Sequence, residues 1–417
     1  WPGVDSVFDS AVSKVMRRLR TAILFVSLPF GALMFLLPIV GRDMGASAIQ
    51  IGGLYSIFAL MTVFLRPIVG RALDSFGRKP FFLAGIAAYA ISNLLYAVSA
   101  SVVVLYLGRL AQGLGSGLMW LAAYAMVADL AKQHERGGVF GSLDEMSPRG
   151  GIIGVAVLLG LISIFSFDVG WRVGFFLFTV VGIGAFVLAW RGIPETWTVE
   201  KHARMKGRPS GLPVHWHLRG RLASPPFITL LAIVLLTAIA YAVTSPILII
   251  YLNDHVTNNV VYLALAFLPS ALIYGLLPSR LGRLSDRWGR RIPMAVALVA
   301  GGIVSISIPQ IRSLWPLAAL WALEALCFSA ATPAEEALVS DFAPLGTRGL
   351  AYGLYTAAAS LGAVIGPLLG GWLYDALGEA MPFYMNAGIL WAAAAGVLFI
   401  LRAPAQSAHE AEPAGAP

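Results

Sequence analysis

The sequence predicts an all-α polytopic membrane protein with twelve transmembrane helices in two pseudo-symmetric six-helix bundles. Three observations lead to this prediction: an apolar composition, a series of long apolar runs, and an internal repeat. Of the 417 residues, 58% are hydrophobic and 12% are charged, and the mean hydropathy is +0.79. Soluble domains are closer to half apolar and about a quarter charged, so an ordinary soluble domain is excluded.

The apolar runs have the length of membrane-spanning helices. Crossing the hydrocarbon core takes about 20 mainly apolar residues in a helix. We place twelve spans at residues 21–40, 49–69, 80–100, 102–130, 138–164, 172–192, 225–250, 259–280, 292–311, 313–340, 349–373 and 383–402.

The long connection after the sixth span divides the chain. Residues 193–224 are rich in Pro, Gly, Arg and Lys, which is typical of a linker between domains. The predicted segments are a cytoplasmic N-terminal segment (1–20), a first bundle (21–192), a cytoplasmic linker (193–224), a second bundle (225–402) and a cytoplasmic tail (403–417).

The basic residues predict the orientation. With both termini inside, the cytoplasmic segments hold 23 of the 29 Lys and Arg residues, as the positive-inside rule requires. We therefore expect a multi-pass protein of a cell membrane, namely a bacterial inner membrane, with both termini cytoplasmic. Since the positive charge is confined to these loops, it does not indicate nucleic-acid binding.

An internal repeat links the two bundles. The stretch GRALDSFGRKP at Gly70 returns as GRLSDRWGRRIP at Gly282, an offset of 212 residues. Internal repeats are a common building rule of secondary transporters. The same offset aligns Asp74 with Asp286, Arg78 with Arg290, Asp129 with Asp341, Gly141 with Gly353, Gly150 with Gly362, and Gly154 with Gly366.

These features resemble the major facilitator superfamily. Its loop signature has Gly, then Asp four residues on, then Gly and two basic residues. Both copies match it, at Gly70, Asp74, Gly77, Arg78 and Lys79, and at Gly282, Asp286, Gly289, Arg290 and Arg291. The stretch RLAQGLGSG from Arg109 is similar to the family's Arg-x-x-Gln-Gly signature. The resemblance implies a transporter, and it implies that Asp74 pairs across the halves when the cytoplasmic side is closed. The plain alternative is a tight turn that its cations hold at the membrane surface.

Ionisable residues inside spans are costly and are functional candidates by default. In span four, Arg109, Gln112, Ser116 and Trp120 share a face and predict a polar stripe on the cavity. Arg109 would bind an anionic group or tune a carboxylate. The structural alternative is an arginine bonded to backbone carbonyls.

Span five contains Asp144, Glu145 and Arg149. Glu145 and Arg149 are four residues apart and can pair along one helical face. Either carboxylate could carry a transported proton while Arg149 lines the cavity. The alternative is a self-neutralised pair without a transport role.

Span ten contains Glu324, at the position that matches Gln112, with Trp321 one turn before it. We expect Glu324 to be a proton or cation site and Trp321 to line the cavity. A structural hydrogen bond is the alternative for Glu324.

Two departures separate the sequence from the family's drug-antiporter branch. The branch ends a glycine series in helix five with Gly-Pro-x-x-Gly-Gly, whereas this chain has Val155, Leu158 and Leu159 there. The complete pattern, Gly366, Pro367, Gly370 and Gly371, is in span eleven. The first span also lacks the acidic residue found in some drug exporters.

The sequence therefore predicts a monomeric secondary transporter that is not an enzyme and needs neither cofactor nor metal. Its expected function is proton-coupled efflux of a small amphipathic or hydrophobic molecule by alternating access. Three alternatives stay open: a symporter or uniporter for a polar or anionic metabolite, with Arg109 and Arg149 as ligands; a lipid translocase; and a membrane scaffold that reuses the fold.

Overall fold

The computed structural model describes residues 10–131, 136–197, 225–277, 289–342 and 348–400. The chain divides into two compact units, Trp1–Pro213 and Val214–Pro417. The predicted segment boundaries at residues 20, 192, 224 and 402 stay predictions, and most of the linker lies outside the described residues.

The described part of the first unit contains eight helices that make six spans. They are α1 (Ser10–Val26), α2 (Leu28–Asp43), α3 (Ala48–Phe76), α4 (Lys79–Ala97), α5 (Val102–Leu130), α6 (Arg136–Asp144), α7 (Met146–Ile164) and α8 (Phe167–Gly192).

The first span is longer than predicted and is broken once. It begins at Val12 rather than at residue 21, because the basic stretch before the apolar run is itself helical. This stretch buries Met16 and Leu19 in the core of the unit. The break is at Ser27, and Pro29 follows in the first turn of α2. Backbone N–H groups in a first turn have no partner within the helix, so proline costs no hydrogen bond there.

The fifth span is also two helices. α6 ends at Asp144, and α7 begins at Met146 after Glu145. Pro148 lies in the first turn of α7, a position that proline tolerates. Pro148 therefore marks the start of a second helix within the fifth span.

The described part of the second unit repeats the pattern with six α-helices. They are α9 (Pro225–His255), α10 (Val260–Leu276), α11 (Arg291–Ser307), α12 (Leu314–Phe342), α13 (Arg348–Leu377) and α14 (Met381–Ala395). A 3₁₀ turn follows α11 at Ile308–Gln310, and a π-helical turn follows α14 at Gly396–Ile400.

The prediction of an all-α polytopic membrane protein is confirmed. Within the described ranges, eleven helical segments are long and apolar enough to cross a membrane, and the shorter apolar helix Val260–Tyr274 accompanies them. That shorter helix falls on the predicted span 259–280, so each of the twelve predicted spans has a helical counterpart in the same order.

Small residues allow the closest helix contacts in each unit. A Cβ on Gly154 of α7 would overlap the carbonyl oxygen of Leu28 in α2, and one on Gly150 would lie 2.6 Å from the carbonyl oxygen of Leu24. In the second unit, a Cβ on Gly366 of α13 would lie 2.8 Å from the carbonyl oxygen of Ile239 in α9. Such close approach of backbones drives helix association in membranes.

Candidate functional site

The first copy of the loop signature turns the chain between α3 and α4. Gly77 follows Phe76 with φ +90° and ψ 178°, a conformation essentially restricted to glycine. The carboxylate of Glu195, just after α8, accepts hydrogen bonds of 3.0 Å from the backbone amides of Arg78 and Lys79. Helix N-termini have unsatisfied donors and a positive dipole end. Glu195 therefore caps α4 from a distant part of the chain.

Arg78 is the centre of an ion-pair network. Its side chain is 6% exposed, and its Nε lies 3.3 Å from Oδ2 of Asp129. Its Nη2 donates to Oδ1 of Asp74 at 3.1 Å, and its Nη1 donates to the Leu73 carbonyl. The guanidinium carbon lies 3.7 Å from the centroid of the Trp197 ring. All these contacts are inside the first unit, and the pairing of Asp74 across the two halves stays a prediction.

The second copy of the signature repeats the central ion pair. Arg290 pairs with Asp341, as the 212-residue offset predicts. Arg291 donates from Nε to the carbonyl of Val397 at 3.1 Å, and Gly289 again has a positive φ of +78°. Gly70 is described within α3. Two other members of the predicted gate motif, Gly282 and Asp286, lie outside the described residues.

Arg109 is buried in the first unit. It is 4% exposed, as is Gln112, and its Nη1 donates to Oε1 of Gln112 at 2.9 Å. Its guanidinium carbon lies 4.6 Å from the centroid of the Tyr55 ring. The hydroxyl of Tyr96 donates to the same Gln112 oxygen at 3.2 Å. Arg109 is therefore held by a side-chain amide and an aromatic face.

The charged residues of the fifth span separate into two pairs. The Tyr124 hydroxyl donates to Oδ1 of Asp144 at 2.5 Å. Arg149 donates from Nη2 to Oε2 of Glu145 at 2.6 Å, and both side chains are about half exposed. Glu145 therefore has a cationic partner on its own helix turn, whereas Asp144 accepts its hydrogen bond from a neutral hydroxyl.

Trp120 lines a cavity between α3 and α5. The cavity has a volume of about 300 Å³, and its walls include Thr62, Arg66, Ser116 and Tyr124. The rings of Trp120 and Tyr124 lie 5.7 Å apart between centroids. Part of the predicted polar stripe on span four therefore borders an open space, whereas Arg109 and Gln112 on the same stripe are buried.

Glu324 lies in the middle of α12 in the second unit. A Cβ on Gly301 of α11 would lie 3.2 Å from its Oε1. Within the described part of the chain, we find no hydrogen bond or ion pair for Glu324. Trp321, one turn earlier, is 5% exposed and stacks on Phe267 with 4.5 Å between centroids.

The sequence alone did not indicate two residues that bind the candidate site residues in the structure. Glu195 was counted only as part of the linker, although an acidic residue directly after a span and close to basic turns is a signal for a helix cap. Tyr124 was overlooked because an aromatic residue in an apolar helix looks like an ordinary core residue. Nothing in its spacing from Asp144 reveals the hydrogen bond, since the two residues belong to different helices.

A chain with this arrangement of spanning helices, repeated loop signatures and intramembrane charges has the architecture of a membrane transporter. The chain matches the model of the Major Facilitator Superfamily over residues 21–309 and 230–416. It belongs to that superfamily, and it is a multi-pass membrane transporter.

The chain is similar to two bacterial resistance proteins. The Quinolone resistance protein NorA of Staphylococcus aureus is 25% identical over 382 residues, which cover 91% of this chain and 94% of the relative. Multidrug resistance protein 2 of Bacillus subtilis is 24% identical over 353 residues, which cover 84% of this chain and 86% of the relative.

Solved transporter structures share the fold. A bacterial homolog of the human lysosomal transporter Spinster aligns with a TM-score of 0.74 at 17% identity, covering 94% of this chain and 97% of the other. The nucleoside transporter NupG aligns with a TM-score of 0.71 at 13% identity, covering 92% and 98%. At such identities the likeness concerns the fold alone.

Proposed function

We propose that this transporter exports small amphipathic or hydrophobic molecules and that proton movement drives the export. The observation that carries the proposal is that two carboxylates, Asp144 and Glu324, lie within apolar spans. Neither makes a hydrogen bond or ion pair with a cationic residue among the residues that the structure describes. A carboxylate inside a membrane is costly when charged and marks proton relays in transporters. An arginine partner favours the charged form of a carboxylate, so a carboxylate without such a partner is the better candidate for a proton site.

The pairs in the fifth span separate the three proton candidates. Arg149 neutralises Glu145 at 2.6 Å, and this contact supports a structural role for Glu145. Asp144 and Glu324 are the stronger candidates. Glu145 already binds Arg149, and Gln112 already binds Arg109. These contacts weaken the alternative of a polar-anion transporter that would use the two arginines as ligands.

The relatives support the efflux direction. Both are resistance proteins, one against quinolones and one against several drugs by name, and a membrane transporter confers resistance most simply by export. We propose that the protein is a monomer in a cell membrane. Both termini are cytoplasmic in this proposal, because the predicted cytoplasmic segments contain most of the Lys and Arg residues. Labelling with a membrane-impermeant thiol reagent at an added terminal cysteine, in a Cys327→Ser background, tests this orientation.

Proteoliposomes with an imposed pH gradient test the coupling, with a fluorescent quinolone as the probe. We expect gradient-driven flux in the wild-type protein, its loss in Asp144→Asn and Glu324→Gln, and its retention in Glu145→Gln. Flux that is the same with and without the gradient would contradict proton coupling. Full retention in all three variants would contradict the assigned carboxylates.

A further inference from the structure

Arg66 differs from Arg109 and Arg149, two arginines that lie away from the ends of the predicted spans. Arg109 is bound by Gln112 and Arg149 by Glu145. For Arg66, no hydrogen bond or ion pair occurs among the residues that the structure describes. Its side chain is exposed and borders the cavity between α3 and α5.

Arg66 lies near the predicted cytoplasmic end of the second span. It is three residues before the end of that span at residue 69 and ten residues before the end of α3 at Phe76. An arginine within a span faces a water-filled space, pairs with an anion or marks a substrate path. Snorkelling of the long side chain to the nearby membrane surface is the alternative for Arg66, and the same side chain borders the cavity between α3 and α5.

The cavity walls add an aromatic surface to the cation. Trp120 and Tyr124 form adjacent walls with ring planes 36° apart. The Tyr124 hydroxyl is committed to Asp144 at 2.5 Å, and this bond fixes the ring at the edge of the cavity. Ser116 and Thr62 add hydroxyl groups. The volume of about 300 Å³ is at the lower end of small-molecule sites, so the cavity suits one small ring-bearing group.

We propose that this cavity is a binding site for an aromatic carboxylate, or for the aromatic acid portion of a larger amphipathic cargo. Arg66 binds the carboxylate, because a guanidinium matches a carboxylate in charge and in geometry. Trp120 and Tyr124 contact the ring. The proposal rests on the proposed transport function and specifies one chemical class of cargo for it.

Direct binding to the full-length protein in detergent tests the proposal without any gradient. The probe is 2-naphthoate, and the neutral 2-naphthamide is the matched ligand with the same rings. We expect Arg66→Gln to weaken 2-naphthoate binding by about tenfold or more, the scale of one lost charge-assisted contact, and to leave 2-naphthamide binding almost unchanged. Trp120→Leu should weaken both ligands.

Arg71→Gln is the matched control, because it removes one exposed positive charge from the same helix but not from the cavity wall. Equal binding of the two ligands, or equal effects of the two arginine variants, would overturn the proposal. Thermal unfolding of each variant confirms that it is folded.

A lipid phosphate could also bind an arginine at this depth, and nanodiscs separate the two sources of negative charge. Arg66-dependent binding of 2-naphthoate should be the same in phosphatidylcholine discs with and without phosphatidylglycerol. Loss of this binding in phosphatidylglycerol would assign the site to a lipid headgroup and overturn the proposal. Failure of the binding tests with intact pH-driven flux would refute the aromatic-acid site and leave the proposed function standing.

Discussion

Arg78 and Asp129 form an ion pair inside the first unit, with 3.3 Å between Nε and Oδ2. The same pair recurs 212 residues later as Arg290 with Asp341. The two pairs differ in burial: the Arg78 side chain is 6% exposed, whereas that of Arg290 is 31% exposed. The repeated loop signature therefore forms the same ion pair in each unit, and a substitution in one copy is the matched control for the same substitution in the other.

Arg78→Gln should destabilise the protein more than Arg290→Gln. Removing one partner of a buried pair costs about 3 kcal/mol or more, and Asp129 would lose its contact with the Arg78 guanidinium. An exposed pair contributes about 1 kcal/mol or less. Thermal unfolding followed by intrinsic fluorescence measures both changes. Equal shifts in the two variants would show that burial of Arg78 has no energetic consequence.

Glu195→Ala should lower the unfolding temperature by removing the cap of α4. Two backbone amides at the start of that helix would lose their acceptor, and loss of a cap costs about 1–2 kcal/mol. Asp168→Ala is the control, because Asp168 is 72% exposed in a surface pair with Arg172 and should change stability little. An equally small effect at both positions would refute the capping role.

Gly77→Ala should cost more stability than Gly289→Ala. Both glycines have positive φ, so each alanine is strained. At Gly77, the added Cβ would also lie 2.6 Å from Oε2 of Glu195, whereas nothing described lies within 4 Å of one at Gly289. In a Glu195→Ala background the two alanine substitutions should cost similar amounts. Persistence of the difference in that background would contradict the steric explanation.

Gly154→Ala should disrupt the packing of α2 against α7. Its Cβ would overlap the Leu28 carbonyl, whereas one on Gly141, in α6, meets nothing within 4 Å among the described residues. We expect reduced expression of folded protein and a lower unfolding temperature for Gly154→Ala, and near-neutral behaviour for Gly141→Ala. Size-exclusion chromatography with fluorescence detection compares the two. Wild-type behaviour of Gly154→Ala would show that the helices can separate without penalty.

Tyr124→Phe should change the pH dependence of gradient-driven flux if Asp144 carries the proton. The substitution removes the hydroxyl that donates to Asp144 and leaves the ring in place. Tyr106→Phe is the control, because that hydroxyl donates to the Gln50 carbonyl at 2.7 Å, away from the proton candidates. Identical pH profiles for wild type and Tyr124→Phe would argue against a proton role for Asp144.

The architecture was largely predictable because the lipid bilayer restricts which backbone structures can span it. A bilayer requires helices with satisfied backbones, so apolar runs of sufficient length predict the spans. The structure corrected the details at Ser27 and Glu145, where two spans are broken. It also extended the first span to Val12, since an amphipathic stretch with basic residues can bury one face in the core while its charges stay outside.

The candidate site was predictable in its residue types but not in its partnerships. The repeat correctly paired Arg78 and Asp129 with their counterparts, and the spacing of four residues predicted the contact between Glu145 and Arg149. The hydrogen bond from Tyr124 to Asp144 joins two helices, and sequence periodicity describes only one helix at a time.

The sequence by itself determined the spans, the repeat and the family, because each depends on local composition or on similarity along the chain. The tertiary structure decided which charged side chains have an oppositely charged partner and which border a cavity. Glu195 caps α4 although it lies 117 residues from Arg78 in the sequence. Arg66 lines the same cavity as Trp120 and Tyr124 because α3 packs against α5. Such contacts depend on helix packing in three dimensions, where the distance between two side chains no longer follows their separation in sequence.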